Sequence, residues 1–351
     1  MHDLIVVGAG VAGLALARAT AARGADVVVL EARARIGGRV LGHRTAAGVY
    51  DLGPAWVWPT LQPRIARAVT RAGLTLFPQA EDGGFVFQHQ TGRIERFPHG
   101  FAPDPPSMRI AGGVAALIAA LAADLDPGRI RLRHQVRQIA LTKDGVAVEA
   151  DTPDGMVTLQ GARMALALPP RLIGRIGFAP SLPPPLLQRL SAVPTWMAGQ
   201  AKALALYDRP VWRDAGLSGS AFSQSGPLAE IHDASLPGVA EAALFGFFGW
   251  PPALRAARAA ALPDLVARQL AALFGPAAAT PRAVIIQDWA GEEFTATPDD
   301  HGALPGHPDY DALVLPAPWG ARIALAGAEV APAFGGYLEG ALAAAETAAA
   351  I

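Results

Sequence analysis

The chain has 351 residues, 52% of them hydrophobic and 17% charged, with a formal net charge of -1. That is the profile of a globular chain long enough for two domains, and its near-neutral balance leaves no basic footprint for nucleic acid. Cysteine is absent, which excludes disulfides, thiolate catalysis, cysteine-ligated metals and any cofactor attached through a cysteine sulfur.

A strand-like run begins at Asp3, so no leader segment is expected and a cytoplasmic location follows as an expectation. No stretch offers the roughly 20 apolar residues of a membrane span. The alanine-rich segment 110–125 holds Gly112, Gly113 and Asp124, and the C-terminal alanine run carries Glu339 and Glu346.

The opening LIVVGAGVAGLALARATAARGADVVVLEA reads as an apolar strand, a glycine turn, a helix over 11–23 and a second strand ending at Glu31. Gly8, Gly10 and Gly13 have the GxGxxG spacing, and Glu31 stands 18 residues beyond the last of them. In a β-α-β unit Gly8 permits the tight turn, Gly10 lets backbone approach a pyrophosphate, and Gly13 lets helix and strand pack closely. The helix amino end then faces the anion, and Glu31 accepts from ribose hydroxyls. Dinucleotide binding is the expectation.

After the acid come EARARIGGRV and VYDLGPAWVW. A helix is expected over 62–74, then short strands and turns over 77–106. A helix follows within 110–125, then strands around the TKDG turn that holds Lys143. The segment GQAKALALYDRPVW opens a sheet expected to run to about Trp289. Its period-two alternation sets Lys202 on one face with Leu204 and Leu206. Of 29 basic residues, only Lys143 and Lys202 are lysines. An edge strand whose lysine snorkels to water accounts for the position; a functional amine accounts for it as well. The chain closes with RIALAGAEVAPAFGGYLEGALAAAETAAA, a strand, a loop and a helix from about Tyr337.

EARxRxGGR followed by DLGxxW, together with this closing segment, resembles the flavin-dependent amine oxidase superfamily. The resemblance implies an α/β fold: a discontinuous Rossmann-like FAD-binding domain over residues 1–76, 109–192 and 290–351. An α+β substrate domain on a mixed sheet would occupy 77–108 and 193–289. It further implies that Arg33, Gly38 and Arg39 run beside the FAD diphosphate, and that Gly53, Pro54, Ala55 and Trp56 pass near the flavin. Val136 would offer a backbone contact to adenine, Glu329 would accept a ribityl hydroxyl, and the helix opening at Leu338 would aim its amino end at the flavin pyrimidine. Residues 75–108 are shorter than the corresponding stretch of typical members.

Lys202 falls where the family holds a water beside the flavin, and Tyr337 falls on one ring of its aromatic cage. The second ring has no clear counterpart, because Pro298, Asp299 and Asp300 stand where some members carry a covalent cysteine and that ring. FAD is therefore expected to be noncovalent. Trp289 matches a tryptophan near the flavin, with a core position under the last strands as the other reading. His301 is a candidate acid or base, or else a loop histidine. No His or carboxylate spacing suggests a metal.

The expected activity is oxidation of a small amine to an imine by hydride transfer to flavin, with dioxygen as acceptor and hydrogen peroxide as product. Oxidation of dihydronicotinamides, as in compact relatives similar to renalase, or another C–H desaturation is the nearest alternative. A noncatalytic FAD-stabilised scaffold is the alternative from another class.

Overall fold

The computed structural model of the chain describes residues 1–100 and 103–350. Positions 101 and 102, inside the expected excursion over 77–108, and the last residue lie outside it. Two large sheets carry the architecture. The first runs Gly177–Ala179, Gln135–Leu141, Val146–Thr152, Gly155–Leu166, His2–Val7, Val27–Glu31, Ile130–Leu132, with Ile323–Leu325 also on Gly155–Leu166. Its central pairings are parallel. Parallel strands are covered on both faces, and His2–Val7 fits that rule: Val6 belongs to one buried cluster, Ile5 and Val7 to another.

The helix Val11–Ala21 follows the first strand and packs on Val114–Ala123 and Leu338–Ala349. Its alanines and Gly13 allow this close approach. Gly8 has φ +102°, open to glycine at little cost, and a Cβ on Gly13 would sit 1.9 Å from the Gly8 carbonyl oxygen. The turn thus needs both glycines for different reasons. This is the Rossmann-like unit that the opening motif implies.

The second sheet runs Ala283–Asp288, Ala201–Tyr207, Ala242–Phe248, Leu228–Asp233, Leu217–Ser223, Gly84–Gln88, Ile94–Phe97. It is antiparallel except where Leu217–Ser223 meets Gly84–Gln88, which makes it mixed. On Ala201–Tyr207 the odd positions Ala201, Ala203 and Ala205 pack in the cluster with Val266, Leu270 and Leu273 of the helix Leu262–Phe274. Leu204 and Leu206 face Tyr50, Leu52 and Phe245.

The edge-strand reading of Lys202 is corrected here. Ala201–Tyr207 has a hydrogen-bonded neighbour on each side, and Lys202 is 2% exposed. Its ammonium has no route along a free edge. Lys143 does occupy an exposed turn between two strands.

Gly13→Ala is expected to destabilise the chain by about 3 kcal/mol or more, since the clash is with main chain that cannot swing aside. Gly128→Ala, at a site where an added Cβ meets nothing within 4 Å, serves as control. Urea denaturation of both variants checks this.

Candidate functional site

Between the sheets lies a cavity of about 520 Å³. One end is built by the glycine turn. Gly10 is the N-cap of the helix Val11–Ala21, with no side chain bonded to the leading amides and no acid in the first turn, so those N–H groups and the positive end of the dipole are available to an anion. Gly37 donates to the Ala9 carbonyl at 2.8 Å, and a Cβ on Gly38 would come within 3.3 Å of Gly10. Two glycine segments therefore lie against each other and present bare backbone to the cavity.

Glu31 is buried beside them and accepts from the Ala9 and Arg33 amides at 2.8 and 2.9 Å. Arg39 borders the cavity and is tied to both oxygens of Glu329. Arg33 donates to Glu292 and Thr295. Val136 stands at a β-bulge, which turns the backbone of 135–137 toward the cavity.

The other end is apolar and aromatic. Gly53, Pro54, Ala55 and Trp56 form one wall. Two groups hold that loop from above: Trp289 Nε1 donates to the Leu52 carbonyl at 3.1 Å, and Lys202 Nζ donates to the Gly53 carbonyl at 3.1 Å. The ammonium also lies 4.1 Å from the Phe245 ring centre and 5.6 Å from that of Phe247, within cation–π range. Burial lowers the Lys202 pKa to about 7, against the opposing pull of Asp51 and with a smaller downward push from Arg109. Burial likewise raises Asp51 to about 6, with Lys202 and Arg109 opposing.

Tyr337 is the N-cap of the helix Leu338–Ala349, and Leu338 opens it; both border the cavity, and no side chain caps the helix. Trp196 faces Tyr337 with ring centres 6.2 Å apart. Glu230, on Leu228–Asp233, borders the same end and accepts from His232 Nε2 at 2.7 Å. The ring of His232 meets Trp56 edge-on at 4.8 Å.

Three expected site residues stand apart from the cavity wall. Gly13 sits behind the turn as a packing position. Glu329 is fully buried and its carboxylate serves Arg39, so a direct contact to a ribityl hydroxyl is not what its geometry offers. His301 is corrected outright: it is exposed, with Nε2 3.1 Å from the Ala290 carbonyl, because the turn Pro298–Asp300 is locked by a capping box between Thr297 and Asp300 and carries the ring outward. Sequence reasoning missed Trp196 as the ring opposite Tyr337, and Glu230 altogether. The alternation in LAEIHD puts Glu230 and His232 on one face and was the available signal.

The sequence pattern of the family described as flavin containing amine oxidoreductase matches residues 101–351. The chain belongs to that family. Residues 6–72 match the NAD(P)-binding Rossmann-like domain. A Dictyostelium discoideum protein named "Probable flavin-containing monoamine oxidase A" is 30% identical over 245 residues, 67% of this chain and 50% of that protein, so the chain aligns with about half the length of that relative. The L-amino acid dehydrogenase of Synechocystis sp. is 26% identical over 99% of this chain and 94% of its own. The solved structure of wild-type putrescine oxidase bound to putrescine shares the fold, with a TM-score of 0.82 over 99% of this chain and 98% of that chain at 21% identity. The chain is a flavin-dependent oxidoreductase of this family. An uncapped helix end and bare glycine backbone at one end of the cavity, with an apolar aromatic chamber and a second uncapped helix end at the other, fit an elongated flavin with an anionic middle.

Glu31→Ala removes the acceptor of two backbone amides beside the turn. Hydrogen bonds to a charged group are each worth about 1.5–3 kcal/mol, so the variant should purify largely colourless. Visible flavin absorbance per mole of protein, against wild type, is the measurement.

Proposed function

We propose that the chain is an FAD-dependent amine oxidase whose substrate carries a second positive charge: hydride leaves the carbon bearing an uncharged amine, an imine forms, and dioxygen takes up the electrons as hydrogen peroxide. FAD is held noncovalently, its diphosphate on the Gly8–Gly10 turn near Arg39 and its adenosine ribose at Glu31. Residues 77–108 and 193–289 make up the substrate-binding part, the remainder the FAD-binding part. Flavin, when bound, supplies the electron-pair acceptor.

The observation that carries the second charge is a row across the second sheet. Gln287 pairs with Lys202, Lys202 with Phe247, and Phe247 with Glu230. Glu230 therefore stands two strands from Lys202, about 10 Å at the usual strand spacing. Lys202 is at the reacting end, where the neutral form of its Nζ would hold a water and accept the proton that the substrate nitrogen must lose. Tyr337 and Trp196, both on the cavity wall, offer aromatic surface to the incoming cation. Glu230, oriented by His232, pairs with the distal ammonium of a diamine.

The arginines on the cavity wall are Arg33, Arg39, Arg137 and Arg175. Arg33, Arg137 and Arg175 adjoin the bulge at Val136 or the loop at 292–296, and the guanidinium of Arg39 is already paired with Glu329, so the substrate end offers a carboxylate and no unpaired guanidinium. That charge pattern favours a diamine over an amino acid, and the likeness in fold to putrescine oxidase points the same way.

Anaerobic mixing with diamines, monoamines, L-amino acids and dihydronicotinamides tests the reading. A diamine should bleach the flavin fastest; a chain bleached by dihydronicotinamides alone, or by nothing, would overturn it. Lys202→Met should keep flavin and slow bleaching by about ten- to a thousandfold, the scale of a positioned proton-transfer group. Glu230→Gln should lower kcat/KM for diamines by about fivefold, the upper worth of a partly exposed charge pair, and leave monoamines unchanged.

A further inference from the structure

Beneath the loop that Lys202 holds lies a second set of buried charges. Asp51, 4% exposed, ends the strand Val49–Asp51. Its Oδ1 accepts from the Val114 amide at 2.9 Å, while its Oδ2 is buried without a hydrogen-bond partner. Arg109, 3% exposed, lies on Met108–Ile110. It donates to the Ser235 carbonyl at 3.2 Å and stacks over Phe77 at 5.2 Å, and its Nε is buried without a partner. Lys202 spends one of its three donors on Gly53, two residues beyond Asp51.

Three charges are thus enclosed together, and the carboxylate and the guanidinium each keep an unsatisfied atom. Buried polar groups normally find partners, and a charge is rarely enclosed without compensation. The neighbours of Lys202 on its own sheet are uncharged: Phe247 on one side, Gln287 on the other, and Phe245 beneath the ammonium. Glu230 lies one strand further. Asp233 and Tyr50 act on Arg109. His232 packs on the Phe245 ring, and among the described residues the charges felt at Lys202 are those of Asp51 and Arg109.

We propose that Asp51 and Arg109 form an opposed pair that adjusts, in opposite directions, the proton affinity that burial sets for Lys202, which makes Asp51 a positioning residue for the oxidation. This deepens the reading of Lys202 given above and rests on it. Asp51 favours the ammonium form and Arg109 the neutral amine. When Lys202 Nζ takes the proton released by the substrate nitrogen, the Asp51 carboxylate stabilises the ammonium so formed, and no other bond changes.

The scarcity of lysine makes the test direct. Flavin-loaded protein labelled with carbon-13 at the lysine ε position should give two signals; Lys143, exposed in its turn, is the internal reference, and Lys202→Met assigns the other. In Asp51→Asn, which keeps an oxygen for the Val114 amide, the proton affinity of Lys202 should fall by about tenfold. In Arg109→Gln it should rise by about as much, as expected for one nearby charge. The pH profile of anaerobic flavin reduction should move in the same two directions.

Midpoints unmoved in both variants, or displaced the same way in both, would overturn the proposal. Should Asp51→Asn fail to fold, Arg109→Gln still decides, because an unmoved or lowered midpoint there contradicts it. The titration needs no turnover. A chain that oxidises no amine yet shows the opposed displacements would remove the functional reading and leave this charge pair standing.

Discussion

An ammonium enclosed on an inner strand must find its acceptors in whatever packs above it, and this requirement joins the two halves of the molecule. Lys202 cannot reach water along a sheet edge, since strands flank it on both sides. Its acceptor is the carbonyl of Gly53, in the loop that leaves Val49–Asp51. Trp289 takes the adjacent carbonyl, that of Leu52. Two side chains of the second sheet and its exit thereby fix consecutive peptides of a segment that belongs with the glycine turn. The loop they hold is one of the cavity's walls.

The same cavity is polarised from end to end. Backbone amides at an uncapped helix, bare glycines and arginines gather at one end, where they suit phosphate. Aromatic rings, one lysine and one carboxylate gather at the other. Such a gradient needs no long insertion. The strand row from Lys202 to Glu230 supplies it with side chains already projecting from a rigid sheet, and strands hold such groups more firmly than loops do.

Much of this was legible in the sequence because it depends on local pattern. The glycine spacing, the acid at Glu31 and the two apolar strands define the first unit with no help from distant residues. Period-two alternation correctly placed Lys202 with Leu204 and Leu206. Alternation reports a face, however, and says nothing of how many strands lie alongside; the pairing partners come from 242–248 and 283–288, far along the chain. His301 failed for a related reason, since a capping box in Thr297–Asp300 sets its direction. Asp51 opens the DLGxxW motif, while its buried setting is created by Arg109, Val114 and Lys202, none of them its sequence neighbours. Glu329 illustrates the reverse case: its position in the closing motif was visible, but its ion pair with Arg39 spans almost the whole chain.

The identity of the substrate turns on a balance of charge that a fold shared at low identity does not dictate. The similar proteins are named as a probable flavin-containing monoamine oxidase, an L-amino acid dehydrogenase and a putrescine oxidase. On the reading proposed above, a carboxylate-bearing substrate brought to the aromatic end would meet the half-buried Glu230, a like-charge contact that is unfavourable. A second ammonium would meet the same group favourably, and His232 would keep the carboxylate turned toward it. On that reading the discrimination would be built from repulsion as much as attraction, and it would reside on one strand whose register with Lys202 sets the separation of the two groups.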